Sequence, residues 1–244
     1  MDAQAYRPWP APRRPWALAM QWHNLLFMHW PVPAKALRRW IPEPLSIDTY
    51  DGWAWLGIVP FTMSGVRPHF VPLVPGLSSF PELNLRTYVS YQGKPGVWFF
   101  SLDAANPLAV RGARLLFRLP YYDADMSALS RTDTVEYSSV RTHPRVARLR
   151  FAARYRAAGP LLSPPDGSID RWLTDRYCLY VASRRGPVWR GDIDHARWDL
   201  QPAEADVLEN TLTEQLRLSL PERQPLLHFS RRLDVVAWMP ERVR

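Results

Sequence analysis

Apolar and polar residues alternate most clearly in residues 80–91, which read Phe-Pro-Glu-Leu-Asn-Leu-Arg-Thr-Tyr-Val-Ser-Tyr. Glu82, Asn84 and Arg86 occupy every second position and are separated by leucines. Successive side chains of an extended chain point to opposite faces, so a strand here would place a carboxylate, an amide and a guanidinium on one face. The pattern therefore predicts a strand that carries a polar site.

Similar runs between turn residues predict a succession of strands with few helices. A second apolar strand follows the turn at residues 92–96, and the run at 53–59 is apolar on both faces, which predicts a deeply buried strand. Many short strands and frequent turn residues predict a mainly β (α+β) fold, an antiparallel barrel or sandwich with short helices packed outside. The predicted strands are residues 20–30, 46–50, 53–59, 80–91, 97–103, 134–140, 147–155, 177–183, 188–194 and 226–238.

The connections between these strands are also predicted from the pattern. Short helices are expected after Pro33, around residues 169–173 and at residues 203–210. Asp51-Gly52 readily takes the positive φ angles of a tight turn and predicts a hairpin between residues 46–50 and 53–59. The remaining stretches are predicted to be irregular: a loop over a cavity at 64–79, a polar connection at 122–132 and a linker at 159–167.

Two regions are expected from the composition along the chain. Residues 1–16 are rich in proline and aromatic residues and are predicted to lie as an arm across the body of the protein. Residues 17–244 are predicted to form a single domain. No stretch resembles a secretory signal or a membrane span, so a cytoplasmic protein without membrane partners is expected.

The single cysteine and the distribution of basic residues limit the kinds of site and partner that are expected. Cys178 lies in an apolar run and is predicted to be a buried, inert thiol, and a single cysteine excludes an internal disulfide framework. The net charge is +8, and two of the 31 basic residues are lysines, which leaves 29 arginines. These arginines are dispersed and no nucleic-acid-binding motif is present, so nucleic acid is not the expected partner.

One set of arginines alternates with apolar residues in the predicted strand at 147–155 and just beyond it. Two interpretations are open for this set: a solvated outer face, or a stripe that binds anions. Its members are Arg148, Arg150, Arg154 and Arg156.

Several runs together resemble a known family. The chain resembles the YqjF-like family of uncharacterised bacterial proteins, which belongs to the acetoacetate-decarboxylase-like superfamily. This resemblance implies an antiparallel acetoacetate-decarboxylase-like β-barrel with a few short flanking helices and an internal, largely apolar cavity. The matching runs are residues 25–30, 48–52, 59–61, 80–88, 96–103 and 195–200.

The resemblance also bears on catalysis. In acetoacetate decarboxylase a lysine forms a Schiff base with the keto acid, and Tyr121 stands at the corresponding position of this chain. A phenol cannot form an imine. Lys35 and Lys94, on a predicted helix and in a predicted turn, are expected to be solvated. Decarboxylation through an amine is therefore not expected.

The candidate site residues follow from the polar face and the resemblance. Glu82, Arg86 and Tyr121 are the candidate catalytic residues, and Glu82 resembles an active-site acid of the decarboxylase. Asn84 and His29 are candidate ligand-binding residues that supply hydrogen bonds or a proton. Two interpretations of Glu82 and Arg86 are open: a buried ion pair that stabilises the fold, or a site for a ligand carboxylate.

Arg114 completes the candidate set. It lies in the segment that corresponds to a Gly-Arg-Glu run of the decarboxylase, and the resemblance makes it a candidate ligand-binding residue. No metal-binding spacing, phosphate-binding loop or dinucleotide motif is present, so neither a metal nor a cofactor is expected.

The predicted function is binding of a small keto, carboxylated or aromatic molecule in the cavity. If the protein is an enzyme, lysine-independent lyase, isomerase or hydrolase chemistry on a keto or enol compound is expected. The alternatives are a non-enzymatic ligand-binding or sensing protein and a basic nucleic-acid-binding protein. The oligomeric state is left open, and a homo-oligomer is among the arrangements that the sequence allows.

Overall fold

A computed structural model describes residues 6–70, 72, 78–182 and 186–243. The helices in this part of the chain are short: α1 (Ala34–Leu37), α2 (Pro107–Gly112) and α3 (Ile169–Thr174), with 3-10 turns at Arg38–Trp40 and Leu212–Leu216 and a π-helical turn at Ala113–Phe117. The strands are β1 (Leu18–Val32), β2 (Ser46–Ile47), β3 (Ala54–Pro68), β4 (Phe80–Tyr91), β5 (Lys94–Ala104), β6 (Tyr121–Arg131), β7 (Thr134–Arg141), β8 (Arg150–Ala157), β9 (Cys178–Ala182), β10 (Val188–His195), β11 (Gln201–Asn210), β12 (Leu226–Ala237) and β13 (Glu241–Val243).

The strand pairings close on themselves. One ring runs β1–β3–β4–β5–β9–β10–β12 and returns to β1, while β6, β7, β8 and β11 form a second path from β5 to β12. β5 pairs in parallel with both β6 and β9, and the other pairings are antiparallel. The predicted mainly β fold with few short helices is confirmed. The sheet is mixed, however, because the crossover through α2 returns the chain in the direction of β5.

The core lies inside these rings. The first eight residues of β3 are all buried, which confirms the predicted deep strand for residues 54–59, while Trp53 lies before β3 and is exposed. The predicted strand at 20–30 and the hairpin of 80–91 with 97–103 are also confirmed, as β1 and as the β4–β5 pair. The turn of that hairpin falls at Gln92 and Gly93, which both have positive φ angles.

The hairpin predicted at Asp51-Gly52 forms only its turn. Both residues take positive φ angles, 50° and 78°, but the pairing ends at a single bridge between Tyr50 and Trp53. β2 pairs instead with Val89 and Ser90 of β4. The prediction of a two-stranded hairpin is wrong: β1 pairs along one edge of β3, β4 pairs along the other edge from Gly57 onward, and β2 continues beside β4 and not beside β3.

Two other local predictions are wrong. Residues 122–131 of the predicted connection at 122–132 belong to β6. Its exposed residues, apart from Leu129, are polar because one of its faces contacts solvent. Residues 203–210, predicted to be a helix, belong to β11, which pairs with both β8 and β12. Their Ala and Glu content favours a helix, and their pairing with β8 overrides that preference.

Parts of other predictions lie outside the described residues. The predicted loop at 64–79 contributes residues 64–68 to β3, and residues 71 and 73–77 fall outside the described part of the chain. Ser183, the last residue of the strand predicted at 177–183, does so too. The predicted helix around residues 169–173 is confirmed as α3.

The alternating arginines of β8 lie on the outer face. Arg150, Arg154 and Arg156 are exposed and face Glu209, Glu136 and Glu204, with Arg156 closest, 2.6 Å from its partner. The interpretation as a solvated outer face is confirmed. Exposed pairs of this kind contribute little to stability.

The described part of the N-terminal segment, residues 6–16, contains no helix or strand and packs against β10. The Arg7 guanidinium is 2.7 Å from Asp194 and donates to the backbone oxygen of Ile193, and Trp9 donates to Asp192. The division into an arm at 1–16 and one domain at 17–244 stays a prediction. Within the described ranges, no helix is long and apolar enough to cross a membrane.

Gly96 of β5 marks a close approach of two strands. A Cβ atom at this position would lie 2.7 Å from Cys178 Sγ and 2.8 Å from the Cys178 backbone oxygen. We expect Gly96→Ala to lower the free energy of unfolding by about 1–3 kcal/mol, because the backbone of β9 has to move. Urea unfolding measures the change.

Gly112 provides the matched control for this substitution. It has helical dihedral angles, φ −60° and ψ −47°, and a Cβ atom there meets nothing within 4 Å. Gly112→Ala should leave stability unchanged or raise it by about 0.5–1 kcal/mol. Equal losses in both variants would contradict the steric explanation.

Candidate functional site

The polar face of β4 forms one wall of an internal cavity of about 120 Å³. Glu82, Asn84 and Arg86 all line this cavity, and all three are buried. Leu83 and Leu85 between them pack into a hydrophobic cluster on the other face of the strand. The alternation that is visible in the sequence therefore directs three polar side chains into one enclosed space.

Most of the remaining cavity wall is apolar or aromatic. β1, β3, β5 and the π-helical turn supply most of it, and a few polar groups join from the segment before β9 and from β10. Such a cavity suits the apolar body of a small organic molecule with a few polar groups that fix its orientation. The apolar residues include Leu25, Val59, Phe61, Phe99, Leu102, Phe117 and Trp198.

Glu82 is hydrogen-bonded to Tyr121 at one end of the polar face. The Tyr121 hydroxyl donates to Glu82 Oε2 over 2.8 Å. Burial raises the pKa of Glu82 to about 8; the hydrogen bond from Tyr121 opposes this rise and the nearby Asp103 adds to it. Burial, with the nearby Glu82 carboxyl, raises the pKa of Tyr121 well above its usual value. At neutral pH the pair therefore consists of a neutral acid and a neutral phenol, and the acid holds a proton that it can donate.

Arg86 lies at the other end of the polar face and has no carboxylate partner within 4 Å in the described part of the chain. Its guanidinium lies 5.3 Å from the Phe27 ring centre and donates to the Tyr88 hydroxyl over 3.3 Å, while Nε has no hydrogen-bond partner. The interpretation as an ion pair with Glu82 is wrong. Four residues of strand separate the two Cα atoms by roughly 13 Å, and Glu82 is bonded to Tyr121 instead.

Asn84 lies between these two groups on the same face. Its Oδ1 atom is buried and has no hydrogen-bond partner among the described residues. A buried amide oxygen without a partner is destabilising by about 1–3 kcal/mol. Asn84 therefore leaves hydrogen-bonding capacity beside Arg86 that a bound molecule would use.

Two of the candidate residues lie outside the cavity wall. His29 is fully buried, and its Nε2 atom is 2.7 Å from the Tyr88 hydroxyl, so it reaches Arg86 only through Tyr88. Burial and the positive charge of Arg86 keep the pKa of His29 well below its usual value. Arg114 donates to the backbone oxygen of Tyr121 over 2.6 Å. The geometry gives both residues contacts that position Tyr88 and Tyr121.

The structure adds three polar residues that sequence reasoning did not assign to the site. Thr174, Arg176 and His195 line the cavity opposite β4. Arg176 is paired with Asp48 at 2.5 Å, and both His195 ring nitrogens face backbone oxygens. Nothing in the local sequence pattern around His195 shows that it lines the same cavity as the polar residues of β4.

Lys35 and the cysteine take the positions expected for them, whereas Lys94, predicted to be solvated in a turn, is the half-buried first residue of β5. Lys35 is exposed on α1, Lys94 lies 5.6 Å from the ring centre of Trp9, and neither lines the cavity. Cys178 is buried, as predicted, and burial raises the pKa of its thiol to about 12. The thiol therefore stays protonated at neutral pH.

A buried ion pair lies next to the site. Arg141 of β7 contacts Asp103 of β5 at 2.8 Å, and both side chains are almost fully buried. Burial raises the pKa of Asp103 to about 6, although Arg141 opposes that rise. This pair offers a direct comparison with Arg86, which has no such partner.

Comparison with known proteins gives consistent matches. The model of DUF2071, a family of uncharacterized conserved proteins, matches residues 19–234. An uncharacterized protein of Bacillus subtilis (strain 168), YqjF, is 44% identical over 223 residues, which are 91% of each chain.

Solved structures with the same fold are more distant in sequence. The acetoacetate decarboxylase of Legionella pneumophila matches with a TM-score of 0.64 at 11% identity, over 97% of this chain and 93% of its own. The enduracididine biosynthesis enzyme MppR, solved with pyruvate, matches with a TM-score of 0.63 at 10% identity, over 95% of this chain and 92% of its own. These likenesses show that the chain has the acetoacetate-decarboxylase-like fold.

Proposed function

Because this chain belongs to the DUF2071 family of uncharacterized conserved proteins, whose description names no activity, we propose its function from the geometry of the cavity. The cavity binds a small organic carboxylate, and Arg86 holds the carboxylate group.

The observation that carries this proposal is the unpaired guanidinium of Arg86. A buried charge without a partner is destabilising, and its contacts with Phe27 and Tyr88 offset only part of that effect. A ligand carboxylate would supply the missing counter-ion and accept two parallel hydrogen bonds from the guanidinium. The Asn84 amide oxygen on the same face only accepts hydrogen bonds, so it suits a hydroxyl group or another donor of the ligand and not the carboxylate itself.

At the other end of the polar face, Glu82 and Tyr121 form a hydrogen-bonded pair that can donate to the ligand. At neutral pH Glu82 is protonated and donates a hydrogen bond or a proton to a keto or enol oxygen of the bound molecule. Tyr121 keeps the carboxyl group in place through its hydroxyl. A keto or enol acid with its carboxylate at Arg86 therefore matches the arrangement, and the pyruvate complex of MppR supports this class of ligand.

Among the described residues, no lysine lines the cavity. With Tyr121 at the position that the resemblance assigns to the Schiff-base lysine, and with both lysines away from the cavity, any turnover proceeds without an imine. The lyase, isomerase or hydrolase chemistry that fits is proton transfer by Glu82. The missing amine also favours a second function, in which the protein binds or senses the carboxylate without converting it.

Binding of pyruvate and acetoacetate tests the proposal. We expect isothermal titration calorimetry to detect both acids with the wild type and to show at least a hundredfold loss of affinity with Arg86→Met. The loss follows from removal of a desolvated charge-assisted contact, which contributes about 2–5 kcal/mol. Native mass spectrometry of the purified protein identifies any small acid that remains bound.

Arg150→Met, a substitution on the exposed outer face, is the matched control and should bind like the wild type. Borohydride added with acetoacetate should leave the protein mass unchanged. Equal affinity of wild type and Arg86→Met would reject Arg86 as the carboxylate partner, and a stable adduct on Lys35 or Lys94 would reject the amine-free chemistry.

A further inference from the structure

A second cavity of about 370 Å³ adjoins the first one. It lies between β1 and β3 on one side and α2 with the π-helical turn on the other. The two cavities share part of their walls, so a bound molecule can extend from one into the other. The shared residues are Leu18, Met20, Met63, Ala113, Phe117 and Tyr121.

The wall of the second cavity is apolar almost throughout. Among its described residues, the side chains of Ser78, Asn106 and Tyr121 alone carry polar atoms. Asn106 accepts hydrogen bonds from the first backbone amides of α2, and the Tyr121 hydroxyl is bonded to Glu82. In this part of the chain the cavity presents no charged group, so it suits a hydrocarbon chain and not a second polar group.

The second cavity reaches the protein surface at α2 and the π-helical turn. Leu108 and Leu116 line it, and they are 65% and 54% exposed. Leu115 beside them is 80% exposed. Three exposed leucines in so short a segment form an apolar opening, through which an apolar ligand can enter.

The length of the polar face adds a constraint. The Cα atoms of Arg86 and Glu82 lie roughly 13 Å apart along β4, and Tyr121, the partner of Glu82, is one of the residues that line both cavities. A carboxylate bound at Arg86 must therefore carry a long chain to pass Tyr121. A three-carbon keto acid would occupy the first cavity alone.

We propose that the natural ligand is a long aliphatic carboxylate of the fatty-acid type, with its carboxylate at Arg86 and its chain running past Tyr121 into the second cavity. The inference rests on the proposed carboxylate site and specifies the ligand class for that site. Glu82 then lies beside the middle of the chain, where it meets a keto or enol oxygen carried there.

A series of straight-chain carboxylates tests this inference. We expect the affinity of the wild type, measured by calorimetry below the micellar concentrations, to rise from butanoate through octanoate to dodecanoate. Each CH₂ group that leaves water strengthens binding by about fourfold. Ala109→Phe places a large ring on a position that lines the second cavity alone. The affinity of this variant should therefore increase from butanoate to octanoate but not further to dodecanoate.

Three comparisons separate the outcomes. Butanoate should bind equally to the wild type and to Ala109→Phe, and thermal unfolding checks that the variant is folded. Arg86→Met should lose all acids, and dodecan-1-ol should bind more weakly than dodecanoate by at least tenfold. If affinity peaks at butanoate and falls with length, the long-chain ligand is rejected while the carboxylate site stands. If dodecanoate binds Arg86→Met as it binds the wild type, the orientation with the carboxylate at Arg86 is rejected. If no acid binds at all, the proposed function fails as well.

Discussion

Replacing Arg86 by Met raises the stability of the ligand-free protein, by about 1–2 kcal/mol in urea unfolding, although it abolishes carboxylate binding. The guanidinium is buried without a carboxylate partner in the described residues, so no ion pair compensates for its lost hydration. Replacing it by an apolar side chain removes this unfavourable term. The lost contacts with Phe27 and Tyr88 contribute about 0.5–2 kcal/mol and reduce this gain. A site that binds an anion is expected to be less stable while it is empty.

Arg141→Met is the matched control, since Arg141 is also buried but is paired with Asp103 at 2.8 Å. We expect a loss of about 3–5 kcal/mol, because this substitution leaves a buried carboxylate without its partner. Saturating ligand should raise the melting temperature of the wild type and of a folded Arg141→Met protein, but not that of Arg86→Met. If Arg86→Met lost as much stability as Arg141→Met, Arg86 would have a structural role.

The stability of the wild type falls between about pH 4.5 and pH 8 through the ionisation of Glu82. The pKa of Glu82 is about 8 in the folded protein and 4.5 in an exposed chain, so the folded state binds more protons than the unfolded state between these values. The difference corresponds to as much as about 5 kcal/mol in total, of which about 2 kcal/mol falls between pH 6.5 and pH 8. This contribution becomes constant about one pH unit above the pKa of Glu82, near pH 9.

Glu82→Gln keeps an oxygen that accepts the Tyr121 hydrogen bond and cannot ionise. We expect its free energy of unfolding to change less than that of the wild type between pH 6.5 and pH 9, a window above the pKa of Asp103, which is about 6. Affinity for a carboxylate should weaken above pH 8 in the wild type and stay constant in the variant, since ionised Glu82 repels the ligand. Identical pH profiles for the two proteins would contradict the ionisation of Glu82 between pH 6.5 and pH 9.

The candidate site was predictable where it depends on alternation along one strand. Glu82, Asn84 and Arg86 share a face because side chains on a strand repeat with period two, and that rule needs no tertiary information. Tyr121 was identified as a candidate only through the resemblance to acetoacetate decarboxylase, since nothing in the local sequence distinguishes it from Tyr122. Arg176 and His195 were missed because they approach the cavity from strands and loops distant in sequence.

The partners of these residues could not be predicted from the pattern. Glu82 and Arg86 have opposite charges on one face, which suggested an ion pair, yet the extended backbone holds them too far apart and Tyr121 of another strand reaches Glu82 first. The secondary structure and pairing of β2, β6 and β11 could not be predicted from local sequence either. They depend on which neighbouring strands each segment meets when the sheet closes.

The sequence by itself determined the β class, the strand β4 with its polar face and the scarcity of amines, because periodicity and composition are local properties of the chain. The tertiary structure alone decided that this polar face is enclosed, that Glu82 is kept protonated and that Arg86 lacks a counter-ion. The physical reason is that closure of the sheet brings together groups from strands far apart in sequence. Closure therefore decides which groups are buried and which are paired, and burial and pairing determine the charge of each buried group.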